Sequence, residues 1–115
     1  MEDCIFCKIA AGEIPSTKVY EDELVVAFED LSPMMPVHTL IIPKEHHANI
    51  GDGIPDDLMG HLFNTVKKVA EVKGIAESGY RVIVNTGDDA QQTVHHVHVH
   101  VLGGAPMNSG SPAVE

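Results

Sequence analysis

Apolar residues recur with helical spacing along one long segment, residues 55–73. The stripe they form consists of Leu58, Met59, Leu62, Phe63, Val66, Val69 and Ala70. Pro55 suits the first turn of a helix, and Asp56 and Asp57 follow where the helix dipole favours negative charge. Gly74 is a natural stop at the opposite end. The pattern therefore predicts one long amphipathic helix.

Shorter apolar segments bounded by turn residues predict a sheet. Strands are expected at residues 19–20, 24–28, 37–43, 80–85 and 94–102. The first two strands flank an acidic turn, which is the pattern of a β-hairpin. A polar loop at residues 86–92 connects the last two strands. A short helix is predicted over residues 6–11, before Gly12. Five mostly antiparallel strands with one long helix and one short N-terminal helix define an α+β domain.

Composition narrows the class of protein. The chain has 115 residues, 43% of them hydrophobic, which is enough for the core of one domain. It carries 17 acidic against 7 basic side chains, a net charge of -10, so a surface for nucleic acid polymers or anionic membranes is not expected. The N-terminus lacks the pattern of a signal peptide, and no apolar run could cross a bilayer. A cytoplasmic protein is the expectation.

Histidine and valine alternate from His96 to Val101, and Leu102 and two glycines follow. Side chains alternate between the faces of a strand, so His96, His98 and His100 are expected on one face. Neighbours in this row lie roughly 6.5 Å apart at ~3.3 Å rise per residue, which suits several groups that converge on one phosphate. Three imidazoles would not line an apolar core without polar partners. The alternative is a histidine-rich edge strand or an adventitious metal-binding tract.

The sequence of this strand resembles the signature of the histidine triad (HIT) nucleotide-binding family, His-Val-His-Val-His-Val-Leu-Gly-Gly, at residues 96–104. Further matches in order and spacing occur at residues 4–9, 28–33, 38–44 and 79–85. Within the family the chain is most similar to the Hint branch, the purine nucleoside phosphoramidases. The resemblance implies a HIT domain over residues 1–107 that pairs into a homodimer with a continuous sheet. Residues 108–115 are expected to be a flexible tail.

The resemblance also implies a covalent mechanism. His98 would attack the α-phosphate of a nucleotide, and water would then release the nucleoside monophosphate. Neutral imidazole can do this near pH 7, since its reference pKa is ~6.5. A backbone carbonyl that accepts from Nδ1–H would fix the attacking tautomer. His100 would donate to a phosphate oxygen or the leaving group, and Thr93 would supply a hydroxyl. His38 would orient an imidazole of the triad, whose first member is His96.

Nucleotide-binding residues are implied in the same way. Asp30 would accept from the ribose hydroxyls, with an ordinary turn aspartate before Ser32 as the alternative. An apolar slot for the base is expected from residues that could equally be plain core: Ile5, Phe6, Ile9, Phe28 and Leu31. Asn85 and Gln92 would reach the phosphate or ribose, beside Thr93 and the triad.

The chain departs from the Hint pattern just before the triad. Ala90-Gln91-Gln92-Thr93 stands where the branch usually has Gly-Gly-Gln-Ser. Loss of glycine removes a position at which the backbone can approach a phosphate closely. His95 stands where tyrosine is common, and it is not counted as catalytic.

Cys4 and Cys7 have the C-x-x-C spacing of metal ligands, but two cysteines are half of a tetrahedral site. The resemblance to a zinc-binding subset of the family adds His46 and His96, which would complete a closed structural Zn²⁺ site. His47 is a rival for His46. The alternative is a pair of buried free thiols or a redox C-x-x-C. No organic cofactor is expected.

The leading hypothesis is a hydrolase of the phosphorus–nitrogen (or phosphoanhydride) bond in purine nucleoside phosphoramidates or adenylylated small molecules, releasing AMP or GMP. One alternative is dinucleoside polyphosphate hydrolysis or nucleotidyl transfer on the same fold. Another is a nucleotide-binding interaction protein whose catalysis is incidental.

Overall fold

The computed structural model of the protein describes residues 3–107. The elements along the chain are helix α1 (Ile5–Ala10), strands β1 (Lys18–Glu21), β2 (Val25–Glu29) and β3 (Val37–Pro43), helix α2 (Asp56–Val72), and strands β4 (Tyr80–Ile83) and β5 (Val99–Gly103). A single 3₁₀ turn, Asp88–Ala90, lies between β4 and β5. The predicted tail, residues 108–115, lies outside the described residues.

All five strands form one antiparallel sheet in the order β1-β2-β3-β5-β4, which confirms the predicted α+β architecture. The central strand is β3, whose seven residues are all buried. It pairs with β5 so that Leu40 faces His100 and His38 faces Leu102. His38 and His100 are therefore diagonal neighbours on one face of the sheet, close enough for their side chains to meet.

The two faces of the sheet are covered by different helices. Helix α2 packs its apolar stripe on one face against Val25, Ala27, Ile41 and the valines of β5. Helix α1 covers part of the other face, where Phe6 and Ile9 pack on Phe28 and Leu40. No helix within residues 3–107 is long and apolar enough to span a membrane. The histidines of β3 and β5 lie on the α1 face.

Asp22 ties the β1–β2 hairpin to helix α2. Its carboxylate accepts the backbone N–H groups of Leu24 and Val25 at 2.9 and 3.0 Å, and the Tyr20 hydroxyl at 2.8 Å. The ring Nε2 of His61, on α2, lies 2.7 Å from the same carboxylate. Burial opposes ionisation, but these hydrogen bonds outweigh it and hold the pKa of Asp22 well below its usual range. His61, for which the sequence suggests no role, joins the helix to the hairpin.

Strand β5 is shorter than predicted. Residues 94–98 were expected to be strand but precede it, and the ladder begins at Val99. Their backbone is bonded in another way, because the N–H of Val97 donates to the carbonyl of His47 at 2.7 Å. The alternation persists all the same: Val97 packs beside Ile54 and Leu58, and His96 is fully buried. The predicted strand at residues 80–85 likewise ends early, at Ile83.

Candidate active site

His98 is the central histidine of the triad. It immediately precedes β5, and its side chain is 3% exposed. Its Nδ1 is 2.8 Å from the carbonyl oxygen of His96. A carbonyl only accepts, so Nδ1 carries the proton and the lone pair of the neutral ring is on Nε2. The ring also meets Phe6 edge-to-face, with centroids 5.1 Å apart. Backbone and aromatic contacts thus fix both the tautomer and the orientation of His98.

A chain of hydrogen bonds also fixes the tautomer of His100. The backbone N–H of Met34 donates to Nδ1 of His38 at 3.0 Å, so the proton of neutral His38 is on Nε2. That Nε2 lies 2.9 Å from Nδ1 of His100 and donates to it. The proton of His100 is therefore on its own Nε2. This N–H is buried without a hydrogen-bond partner among the described residues, which marks it as a donor for something that the protein binds.

Burial keeps His100 neutral. Its side chain is fully buried, and burial, helped by the neighbouring imidazoles of His98 and His38, lowers its pKa to about 3. Asp30 approaches the same group, with Oδ2 3.4 Å from Nε2 of His38. Asp30, His38 and His100 could in principle hold a metal ion. The tautomer argues against that, because a metal would need the nitrogen of His38 that already carries the proton.

An apolar cavity of about 200 Å³ opens beside the triad. Its lining includes all five residues predicted for the base slot and also Asp30, and it adds Ile14 and Leu40, which the sequence analysis did not single out. Leu31 is 97% exposed at its rim. Oδ1 of Asp30 accepts the N–H of Ser32 at 2.7 Å, as in the predicted turn. The arrangement brings an apolar slot, a carboxylate and the histidines to one side of the sheet.

Residues 90–93, the loop before the triad, contain no glycine, and side-chain hydrogen bonds hold this loop in place. Gln91 takes a left-handed conformation, with φ of 64°, which normally favours glycine. The Gln92 amide accepts the N–H of Gly87 at 2.9 Å and donates to the carbonyls of Ala48 and Val94 at 2.8 and 3.0 Å. This placement favours a role for Gln92 in supporting the loop over the predicted contact with the nucleotide.

The remaining predicted ligands lie at the periphery. Thr93 is exposed and lines an open cleft with Cys4, Ile5 and His46, next to the triad. Asn85 is half-buried and follows the end of β4. A backbone carbonyl was expected at Nδ1 of His98, but the sequence did not identify it as that of His96, and it gave no sign of the backbone N–H of Met34. No residue pattern signals them, because any residue offers the same backbone groups.

Cys4, Cys7, His46 and His96 form a compact cluster whose ligand atoms all lie within 4.8 Å of one another. Nδ1 of His96 is 3.2 Å from Sγ of Cys4 and 3.4 Å from Sγ of Cys7. Nδ1 of His46 is 3.2 Å from Sγ of Cys7 and from Nδ1 of His96. Around a tetrahedral zinc ion, sulfur and nitrogen ligands lie about 3.6 Å apart. The structure thus brings together the four residues predicted as metal ligands.

The chemistry of the cluster fits a cation. Nε2 of His96 donates to the carbonyl of Pro43 at 2.8 Å, so the lone pair of Nδ1 faces the two sulfurs. Burial, followed by the hydrogen bond and charge of Cys4, raises the pKa of the Cys7 thiol to about 11 in the protein alone. A cation would favour the thiolates instead. His47 points elsewhere, with Nε2 3.3 Å from a carboxylate oxygen of Glu45.

Comparison with known proteins gives the same picture. A family model described as the HIT domain matches residues 11–107. The purine nucleoside phosphoramidase of Escherichia coli K12 is 45% identical over 108 residues, 92% of this chain and 91% of that protein. A HIT family hydrolase from Clostridium thermocellum has a TM-score of 0.90 and 50% identity, covering 96% and 97% of the two chains. A histidine triad protein from Clostridium difficile has a TM-score of 0.90 and 48% identity, covering 96% and 98%.

Proposed function

This chain belongs to the HIT family and is a hydrolase of that family, and we propose that it acts on purine nucleoside phosphoramidates or related adenylylated small molecules. His98 attacks the α-phosphorus and forms a covalent nucleotidyl-histidine, which water hydrolyses to AMP or GMP. One observation carries the proposal: the proton of His98 is held on Nδ1 by the carbonyl of His96, so the lone pair is on Nε2.

The reaction has two steps, nucleotidyl transfer to His98 and hydrolysis of the resulting intermediate. Nε2 of His98 bonds to phosphorus while the phosphorus–nitrogen bond breaks, and the leaving amine keeps the electron pair and takes up a proton. The nucleotidyl-imidazole is positively charged because Nδ1 keeps its proton, and the carbonyl of His96 stabilises that charge. Water then attacks the phosphorus, loses a proton and displaces Nε2, which restores neutral His98. Solvent in the open cleft beside Thr93 supplies the proton of the amine.

His100 stabilises the charge that develops on the phosphate oxygens. A neutral imidazole is a poor proton donor but a good hydrogen-bond donor, and the buried Nε2–H of His100 has no other partner among the described residues. Removing one preorganised donor of this kind typically lowers the rate by about 10²–10³. His38 holds His100 in this tautomer and is a positioning residue.

Asp30 and the apolar cavity recognise the nucleoside. The cavity beside the triad accepts the purine through Ile5, Phe6, Ile9 and Phe28. Asp30 accepts from the ribose hydroxyls through the remaining lone pairs of its carboxylate, since Oδ1 already accepts from Ser32 and Oδ2 lies 3.4 Å from Nε2 of His38. A carboxylate suits the sugar and would repel the phosphate, so the nucleotide binds with its phosphate toward the histidines.

The cluster of Cys4, Cys7, His46 and His96 holds a structural Zn²⁺ ion. Two thiolates and two imidazoles would supply the four ligands of a closed zinc site, so a bound ion would stabilise the N-terminal segment and would leave no position for a substrate. Zinc analysis of protein purified without added metal tests the site. We expect about one ion per chain and two unreactive thiols; no zinc and two freely reactive thiols would refute it.

A homodimer that pairs β4 with its copy remains a prediction, as does a cytoplasmic location. β4 is an edge strand with half-exposed Tyr80 and Val82, whereas the other edge, β1, carries the charged ends Lys18 and Glu21. Charged edges discourage pairing, so β4 is the better candidate. Light scattering of Val82→Lys beside the native protein tests this pairing, since a monomer is expected for the variant.

Turnover of adenosine 5′-phosphoramidate tests the proposed reaction. We expect the native protein to release AMP and His98→Ala to lose at least about 10³ in kcat while it still binds AMP. His61→Ala, on helix α2 at the opposite face of the sheet, is the matched control and should keep the native rate. Equal rates for the native protein and His98→Ala would refute the nucleophile. A kcat/KM that is higher for diadenosine polyphosphates would favour the polyphosphate hydrolase instead.

A further inference from the structure

His96 belongs to two assemblies at once. Its ring offers Nδ1 to the cluster with Cys4, Cys7 and His46, while its backbone carbonyl accepts the Nδ1–H of His98. The residue is fully buried and precedes β5, so its peptide group has no place in the strand ladder. The peptide group that carries the His96 carbonyl is held instead by the N–H of Val97, which donates at 2.7 Å to the carbonyl of His47, the residue that follows His46 of the cluster. The His96 carbonyl is therefore held from the segment that carries His46 and, in addition, through the His96 ring. The ring is anchored by Pro43 on one nitrogen and by the cluster on the other.

Phe6 is a second link between the cluster and His98. It lies in α1 between the two cysteines, and its ring meets His98 at 5.1 Å and His96 at 6.1 Å, both edge-to-face. Helix α1 has only six residues and is capped by Cys4, whose sulfur accepts the N–H of Cys7. So short a helix is not stable by itself. The cysteines that would bind the ion thus also hold the aromatic ring against His98.

We propose that the metal cluster is a positioning device for the nucleophile, acting on His98 through the carbonyl of His96 and the ring of Phe6. The inference rests on the proposed zinc site and the proposed nucleophile. Zn²⁺ supplies only rigidity: with the ion bound, Nδ1 of His96 is held, its carbonyl faces His98, and His98 keeps one tautomer. Without the ion, the segment before β5 and helix α1 become more mobile together. His98 then also populates the Nε2–H tautomer, in which Nε2 has no lone pair for attack.

The ring nitrogens of His98 give a readout that is independent of activity. Protein with ¹⁵N-labelled histidine is compared with and without Zn²⁺ by long-range ¹H–¹⁵N correlation, and His98→Ala identifies the signals. We expect one Nδ1–H tautomer for His98 in the zinc-loaded protein and a mixture of tautomers after chelation. The same Nδ1–H tautomer in both samples would overturn the inference.

Kinetics separate positioning from general stability. Losing a hydrogen-bond partner of a metal ligand typically lowers activity or metal affinity by about 10–100-fold, and losing a ligand disturbs the cluster at least as much. We therefore expect the single-turnover rate of nucleotidyl transfer to His98 to fall at least about 10-fold in His46→Ala. The Kd for AMP should change less than about threefold. His61→Ala is the control, because it weakens the contact with Asp22 without touching the cluster. An equal loss of rate in both variants would make the effect one of stability and refute positioning.

The outcomes distinguish this inference from the proposals beneath it. Zinc-loaded protein that does not cleave phosphoramidates refutes the proposed function, whereas the ring spectrum still tests the inference. Zinc-loaded protein that turns over, and keeps both tautomer and rate after chelation, refutes the inference alone. A chain that takes up no zinc refutes the metal site and the inference together.

Discussion

His100 makes the stability of this fold depend on pH in a measurable way. Its pKa is about 3 in the folded protein because of burial and the neighbouring imidazoles, and about 6.5 in the unfolded chain. Unfolding below pH 6.5 therefore takes up a proton that the folded state does not bind. The stability from neutral His100 is fully present above pH 6.5 and is lost as pH falls toward 3.

The loss at pH 5 follows from these two pKa values. A pH of 5 lies about one and a half units below the unfolded-state pKa, and each unit corresponds to about 1.36 kcal/mol. The free energy of unfolding therefore falls by about 2 kcal/mol. Because pH 5 lies well above the folded-state pKa, the unfolded-state value alone sets this figure. Two kcal/mol is a large share of the 5–15 kcal/mol that typically separates folded from unfolded domains.

The assay is urea unfolding at pH 7.5 and pH 5.0 for the native protein and His100→Gln, which cannot titrate. We expect the native protein to lose about 2 kcal/mol more than the variant between the two pH values. Carboxylates and the metal cluster are common to both proteins and cancel in this difference. His95→Gln, which removes an exposed histidine, should behave like the native protein. An equal loss for native protein and His100→Gln would refute the low pKa.

Two pairs of substitutions test contacts that hold the fold together. Asp22→Ala removes the acceptor for four groups and should lower the free energy of unfolding by about 2–3 kcal/mol. Tyr20→Phe, which loses the hydrogen bond to Asp22 and an exposed one from Lys68, should cost about 1 kcal/mol in urea unfolding. Gly103→Ala would set a Cβ 2.8 Å from the Ile75 side chain and 3.3 Å from a backbone oxygen, and should cost about 1–3 kcal/mol. Gly60→Ala, in α2 with open space around it, should instead stabilise by about 0.5–1 kcal/mol; the reverse order of melting temperatures would contradict this.

Long periodic patterns predict the fold well. Helix α2 begins and ends within one residue of the predicted range, and β3 occupies the predicted residues 37–43. In both, the pattern follows from a single buried face or from full burial, and nothing else competes for the backbone. Residues 94–98 show where this reasoning stops, since side chains can alternate without a strand ladder. The backbone N–H of Val97 donates to the carbonyl of His47, and no local pattern reveals this contact between distant segments.

The candidate site also has features that the sequence predicts and features that it does not. The triad and the C-x-x-C pair could be found because chemistry restricts which side chains occur there, and the structure brings the four predicted metal ligands together. The Nδ1–H tautomer of His98 was expected from the proposed attack, but the groups that fix it and the tautomer of His100 could not be identified, because they are the backbone carbonyl of His96 and the backbone N–H of Met34. The function of His61 was equally hidden, since Asp22 lies 39 residues away in sequence.

An acidic chain that handles a phosphate with neutral donors should respond to salt in an unusual direction. The net charge is -10, and four of the seven basic side chains are engaged elsewhere: Lys18 and Lys44 with Glu21, Lys73 with Glu29, and Lys68 with Tyr20. Neutral His100 donates a hydrogen bond that salt does not screen. The repulsion between AMP and the acidic surface is screened, because the Debye length falls from about 10 Å at 0.1 M salt to about 3 Å at 1 M. Calorimetry of AMP binding should therefore show a Kd at 1 M NaCl that is equal to or lower than the Kd at 0.1 M. A Kd that rises severalfold would mean that a cationic side chain holds the phosphate, and the neutral-donor account of the site would be wrong.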